Sequence, residues 1–116
     1  MKAVAYTQSL AISNSQSLQD IELEQPSAAG HDILVKVNAI AVNPVDCKIR
    51  NNVAPAEGEH RVLGWDAVGE VVAIGEAVSY FNVGDKVYYA GDLNRQGCNA
   101  QFQLVDERIV GKAPKS

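Results

Sequence analysis

The chain has 116 residues, enough for one hydrophobic core and too few for two ordinary domains. Hydrophobic residues make up 47% and charged residues 21% of the sequence, which is typical of a folded globular domain and excludes a disordered or fibrous chain. The formal net charge is −4 and the positive residues are scattered from Lys2 to Lys115, so a nucleic-acid partner is not expected.

The local sequence argues against a secreted protein and against a membrane-spanning protein. The first eight residues turn polar too soon for a signal peptide, and no window holds the ~18 uninterrupted apolar residues of a membrane span. We therefore expect a cytoplasmic protein without a membrane partner. Cys47 and Cys98 are the only cysteines, and in a reducing compartment they are expected as free thiols, not as a disulfide.

Short runs of Val, Ile and Tyr, separated by Gly, Pro, Asn and Asp, predict a mainly β domain that closes into a barrel or a sandwich. The predicted strands, in chain order, are 2–6, 18–24, 33–42, 67–74, 86–90 and 99–105, with a further short strand at 109–111. Residues 51–61 lack periodicity and predict a surface loop, and the breaker-rich residues 111–116 predict a linker.

One helical turn is predicted between the third and fourth of these strands. Asn43 is an N-cap candidate, Pro44 suits the first helical position, and Asp46 places an acid in the first turn. We expect this turn to end at about Ile49. Gly84 and Asp85 are placed to turn the chain just before the strand at 86–90.

Specific motifs for metal or phosphate chemistry are missing from the sequence. Zinc sites commonly use close-spaced pairs of ligands, whereas His31, Cys47, His60 and Cys98 are each isolated. The glycines form neither a GxGxxG nor a GxxxxGK[ST] arrangement, so they are interpreted as turn and bulge residues of a β domain.

The candidate chemistry lies at two places. Asn43, Asp46 and Lys48 meet at one strand-to-helix junction, and Trp65 lies beside Asp66 at the head of a strand. An Asn side chain donates hydrogen bonds, an Asp orients a ligand or takes a proton, and a Trp walls a planar ligand from water. Each residue also has a purely structural alternative. Asn43 and Asp46 could cap the helix, Trp65 could be a core residue, and Asp66 could bond to turn amides.

Several blocks together resemble the N-terminal GroES-like domain of the medium-chain dehydrogenase/reductase superfamily. The resemblance is to the quinone oxidoreductase branch, which includes zinc-type alcohol dehydrogenase-like proteins, and it covers almost the whole chain. The matching blocks are 41–46 (AVNPVD), 48–50 (KIR), 63–71 (LGWDAVGEV), 83–88 (VGDKVY), 97–102 (GCNAQF) and 105–108 (VDER).

The resemblance implies a GroES-like, partly open β-barrel with short helical turns, in which residues 1–116 form the substrate-side catalytic domain. A Rossmann domain that binds NADPH, less often NADH, is expected downstream, and the full-length protein is expected to reduce a small-molecule quinone or α,β-unsaturated carbonyl by hydride transfer. Members of the superfamily commonly form homodimers through that domain, and the sequence leaves the oligomeric state open.

The resemblance also implies roles for individual residues. Asn43 matches the asparagine beside the nicotinamide and is expected to position the cofactor, with Lys48 nearby in place of a familiar tyrosine. Trp65 and Asp66 are expected on the substrate side, with Tyr89 on a neighbouring strand. In similar zinc alcohol dehydrogenases the metal ligands fall at Asn43 and at Gly64-Trp65-Asp66, and because Trp65 cannot hold a metal we expect no zinc.

Two alternatives to this reading stay open. A GroES-like module without enzymatic activity, used for protein interaction, would not need polar residues facing a cleft. A zinc-type alcohol dehydrogenase would need a metal to lower the pKa of its alcohol substrate.

Overall fold

The computed structural model describes residues 1–114, which form two antiparallel sheets and one helix. Within them the elements, in chain order, are β1 (Lys2–Tyr6), β2 (Gln19–Glu22), β3 (Asp32–Ala41), α1 (Pro44–Asn52), β4 (Arg61–Val62), β5 (Asp66–Ile74), β6 (Lys86–Ala90), β7 (Phe102–Asp106), a 3-10 turn (Glu107–Ile109) and β8 (Val110–Lys112). The prediction of a mainly β, partly open fold with little helix is confirmed.

The strands are arranged in two sheets of different size. The smaller has the order β2-β1-β4 and the larger the order β7-β3-β5-β6-β8. β3 and β5 form the centre of the larger sheet and pair over most of their length, with register shifts between Leu34 and Val35 and between Val37 and Ala39. An isolated bridge between Ala3 and Ala100 connects the smaller sheet to the segment before β7.

The core follows from the alternation of side chains along the strands. In β6 the pattern is strictly alternating, with Val87 and Tyr89 buried and Lys86, Tyr88 and Ala90 exposed. The main buried cluster of the larger sheet contains Ile33, Val35, Ala67, Val71, Phe81, Val87, Tyr89, Cys98 and Val105. A second cluster, which matters for the site, joins Tyr6, Leu63 and Trp65, with Val45 and Ile49 of α1 packed against it.

Several predicted boundaries need correction. The helix does not stop at Ile49 but continues to Asn52. The predicted loop 51–61 loses both ends, because Asn51 and Asn52 belong to α1 and Arg61 begins β4, a two-residue strand that pairs with β1.

The last two predicted strands and the predicted linker also shift. Before β7, the amides of Gly97, Cys98 and Asn99 donate to the carbonyls of residues 62–64, so the regular strand starts at Phe102 and not at residue 99. Of the predicted linker 111–116, Gly111 and Lys112 belong to β8, which pairs with β6. Residues 115 and 116 lie outside the described residues.

Candidate functional site

The site starts where β3 ends and α1 begins, at the N-cap residue Asn43. Asn43 is extended, and Pro44 follows it with a backbone angle already suited to the helix. The Asn43 backbone N–H donates to the Asp46 carboxylate over 3.2 Å, half of a capping box. Asp46 is only 5% exposed, so this contact is shielded and fixes the chain direction at the helix start.

Asp66 reaches the same place from the neighbouring strand. It is the first residue of β5 and pairs with Ala41 of β3 on one side and with Ala90 of β6 on the other. The Asn43 side-chain amide donates to the Asp66 carboxylate. Two residues that the sequence placed 23 positions apart are therefore in direct contact, and both side chains are partly accessible.

Next to Asp66 the outer face of the larger sheet is apolar and concave. An open depression of about 500 Å³ is lined there by Ala39, Ile40, Ala41, Asp66, Ala67, Val68, Tyr88, Tyr89 and Ala90. The carboxylate is the one charged group in this lining. A flat, largely apolar molecule with one polar edge matches that combination of an apolar floor and a polar pair.

Trp65 lies under the surface of the site and not on it. It is 3% exposed, and its indole N–H donates to the Asp92 carbonyl over 2.9 Å. The Arg61 guanidinium lies 5.8 Å from the ring centroid and covers the ring. These contacts describe Trp65 as a core residue, which is the structural alternative that the sequence left open.

The two remaining sequence candidates occupy opposite environments. Lys48 is exposed on α1, one turn beyond Asn43. Tyr89 is 5% exposed and its hydroxyl donates to the Gln103 side chain over 2.7 Å. Burial, with a smaller contribution from nearby Cys98, raises the pKa of Tyr89 far above its ordinary value. Its neighbour Tyr88 is 51% exposed and offers its ring to the surface instead.

Sequence reasoning missed three residues around the site, namely Tyr88, Arg61 and Cys98. The alternation of β6 carried a signal for Tyr88, because one of two adjacent tyrosines in a strand must face outward. Cys98 is buried, and its thiol lies 3.6 Å from the Asp66 carbonyl, to which it donates. Burial raises the pKa of this thiol to about 11, so it stays protonated near neutral pH.

The alcohol dehydrogenase GroES-like domain family matches residues 29–115. This chain belongs to that family. The expectation drawn from the sequence blocks is confirmed, and the partly open β fold described above is the GroES-like fold. Across residues 1–114, no helix is long and apolar enough to cross a membrane.

Several known proteins are similar to this chain. A zinc-type alcohol dehydrogenase-like protein of Staphylococcus epidermidis is 42% identical over 114 residues, which are 98% of this chain and 33% of that protein. A candidate zinc-dependent alcohol dehydrogenase of Rhizobium etli is 52% identical, with a TM-score of 0.95 over 100% of this chain and 34% of that one.

More distant solved structures share the fold. A quinone oxidoreductase of Coxiella burnetii is 26% identical, with a TM-score of 0.86 over 99% of this chain and 37% of that one. A mycobacterial protein in complex with NADPH is 28% identical, with a TM-score of 0.85 over 100% of this chain and 34% of that one. The chain thus spans about a third of the length of the relatives that it matches.

The names of two relatives include zinc, so the donor groups at the site must be compared with what zinc requires. Structural and catalytic zinc is held by thiolate, imidazole or carboxylate groups, usually three or more from the protein. Among residues 1–114, no three His, Cys, Asp or Glu side chains gather to hold a metal ion. At the site Trp65 supplies only an N–H donor, Asp66 accepts from the Asn43 amide, and the Cys98 thiol donates to the Asp66 backbone carbonyl. These residues do not fit a zinc ion.

Proposed function

We propose that this chain is the substrate-side domain of an NAD(P)H-dependent oxidoreductase, which reduces quinones or α,β-unsaturated carbonyls without zinc. The observation that carries the proposal is the Asn43–Asp66 contact beside an apolar depression. A quinone or enone is flat and apolar and carries one or two carbonyl oxygens, and the Asn43 amide keeps one N–H donor for such an oxygen after its bond to Asp66.

The cofactor in this proposal is NADPH, which supplies the hydride when it is bound. It would be held mainly by a Rossmann domain in the rest of the full-length protein, as the resemblance implies. From this chain, Asn43 and Lys48 would contribute to the cofactor site. Asn43 is fixed from two sides, by Asp46 through its backbone and by Asp66 through its side chain. Lys48 is exposed on the same helix and offers a free ammonium to a phosphate or a carbonyl oxygen.

The residues of this chain have distinct tasks in the proposal. The Asn43 amide orients the reacting group, and Asp66 keeps that amide in one rotamer. Trp65, buried behind the site, supports the packing of α1 through Val45 and Ile49. Tyr89 would contribute only to the shape of the depression and would not bond to the substrate, because its hydroxyl donates to Gln103. Negative charge that develops on the substrate oxygen would be stabilised by hydrogen-bond donors.

Replacement of Asn43 tests the positioning role. In the full-length protein, Asn43→Ala is expected to lower kcat/KM for NADPH-dependent quinone reduction by about tenfold to a hundredfold, because misplaced reactants lose much of the rate enhancement. Steady-state kinetics with 1,4-benzoquinone measures the effect. Asn94→Ala, in an exposed turn, is the matched control and should leave kcat/KM unchanged. Equal kinetics for Asn43→Ala and the wild type would contradict the role.

Alcohol dehydrogenation is the second candidate, favoured by the names of two relatives. Without a metal to lower the pKa of the alcohol, that reaction loses its usual activating group. We therefore rank it below quinone or enone reduction. Turnover of primary alcohols with NADP⁺ at rates equal to quinone reduction with NADPH would reverse the ranking.

A further inference from the structure

The four arginines of the chain fall into two classes by partner. Arg95 forms a bidentate ion pair with Asp32, both contacts 2.8 Å long, and Arg108 pairs with Asp106. Arg50 and Arg61 have no carboxylate partner within 4.0 Å anywhere in residues 1–114. Arg50 donates to the Leu10 carbonyl and to the Asn51 side chain, and Arg61 donates to the Leu93 carbonyl. Two positive charges are thus bonded only to neutral oxygens.

Both of these arginines lie close enough to the buried Tyr6 side chain for their charges to act on it. Arg61 begins β4 and covers the Trp65 ring, while Arg50 lies in the last turn of α1. Tyr6 packs in the same cluster as Trp65, and its hydroxyl donates to the Val53 carbonyl at the end of α1. Burial raises the pKa of Tyr6, and the positive charges of Arg61 and Arg50 oppose that rise. Both guanidinium groups therefore act on one region of the molecule.

Arg61 has donor groups that the protein leaves unused. A guanidinium carries five N–H donors, and of these Arg61 uses only those of one terminal nitrogen in a hydrogen bond. Its Nε is buried and donates to no acceptor. A ligand cannot reach this covered nitrogen, but Nη1 makes no hydrogen bond within residues 1–114 and is not buried, so the terminal nitrogens are the donors open to an acceptor. Arg50 is 8% exposed and already bonded, so it contributes charge and not contacts.

We propose that Arg61 binds an anionic oxygen group, a carboxylate or a phosphate, on a ligand of the full-length protein. The flat fork of a guanidinium matches both groups bidentately, and the charge of Arg50 strengthens the attraction. The group has two possible sources, a phosphate of the cofactor or a carboxylate of the substrate. The site goes beyond the proposed function, because anion binding at Arg61 requires no hydride transfer.

The test measures binding directly, in the full-length protein labelled with ¹⁵N-arginine. Inorganic phosphate and benzoate are titrated separately while the Arg61 Nε–H resonance, identified by its loss in Arg61→Lys, is followed. We expect one of these anions to shift the resonance. Calorimetry of Arg61→Gln is expected to give a Kd about tenfold or more above that of the wild type, since charge-assisted hydrogen bonds are lost. Arg108→Gln, which removes an ion-paired arginine, should leave the Kd unchanged.

A second titration with saturating NADPH separates the two sources. If the cofactor supplies the anion, NADPH removes the phosphate-dependent shift and binds less tightly to Arg61→Gln. If the substrate supplies it, benzoate still shifts the resonance in the presence of NADPH. An Arg61 resonance that neither anion moves would overturn the proposal, and this readout holds even if Arg61→Gln does not fold. Because no turnover is measured, failure of the protein to reduce quinones would leave the binding result intact.

Discussion

At the scale of single residues, Glu107 shows how a buried charge is held in this fold. Its side chain has no exposed surface, and its carboxylate accepts hydrogen bonds from the backbone N–H groups of Ser79 and Tyr80 and contacts His31 Nδ1 at 3.1 Å. Burial alone would raise the pKa of Glu107, but these donors lower it below its ordinary value. The carboxylate joins three separate segments, the turns at 29–31 and 75–80 and the 3-10 turn.

We expect Glu107→Gln to lower the melting temperature by several degrees at neutral pH, since an amide replaces a charged acceptor. Because the folded pKa lies below that of an unfolded Glu, about 4.3, the stabilisation is complete above that pH and is lost as the pH falls through the folded pKa. Thermal unfolding at a series of pH values should show a weaker acid dependence in the variant. Glu59→Gln, in an exposed loop, is the control, and equal melting of both variants would contradict this role.

The site residues were only partly predictable from the sequence, because some depend on local signals and others on strand register. Asn43 and Asp46 were recognisable because capping residues carry a local signal, and the capping box confirms it. The Asn43–Asp66 contact was not, because it depends on the register that pairs Ala41 with Asp66 across two strands. The choice between Tyr88 and Tyr89 likewise depends on which face of β6 meets the core.

At the scale of elements, helix α1 is longer than its sequence suggests. Local signals mark its start, but Asn51 and Asn52 favour caps and turns over helix interiors. The Tyr6 hydroxyl, on a strand more than forty residues away, lies 2.5 Å from the Val53 carbonyl and 3.2 Å from the Ile49 carbonyl. The Ile49 carbonyl already accepts from the Val53 N–H, so the single hydroxyl proton is donated to the Val53 carbonyl, the nearer of the two. A tertiary contact therefore stabilises the end of the helix.

Tyr6→Phe tests this contact. Removal of the hydroxyl leaves the Val53 carbonyl without this donor, which is expected to cost about 1–2 kcal/mol of unfolding free energy. Urea denaturation of the full-length protein, followed by a probe in this domain, measures the change. Tyr80→Phe removes a hydroxyl from a side chain that is 66% exposed and should change little. An equal effect of the two variants would contradict the capping role.

The sequence predicted strand bounds correctly where a compact run of strand-forming residues is present. It did not predict them where a strand is very short or where its residues bond to a distant segment. The bounds of β1 and β6 are as predicted, because in each a run of Val, Ala and Tyr follows a lysine and ends at a turn-forming or polar residue. β4 is two residues long and exists because β1 pairs with it, which no local pattern reveals. The start of β7 was placed too early because Gly97 to Asn99 bond to residues 62–64 instead.

At the scale of the whole molecule, the chain spans about a third of the length of its relatives. The pair Asn43–Asp66 and the apolar depression lie on the outer face of the larger sheet, where another part of a longer protein has room to approach. The downstream Rossmann domain, cytoplasmic location and homodimer stay predictions. The absence of zinc also stays a prediction, and it is supported by the donor groups of the site.

The most direct test of the proposed zinc-free reduction combines turnover and metal content in the full-length protein. Oxidation of NADPH in the presence of 1,4-benzoquinone is followed by absorbance, before and after exhaustive treatment with a strong chelator, and bound zinc is measured by mass spectrometry. We predict quinone-dependent oxidation of NADPH that the chelator does not reduce, with no stoichiometric zinc. Oxidation that disappears with the chelator and returns with added zinc, or no oxidation at all, would contradict it.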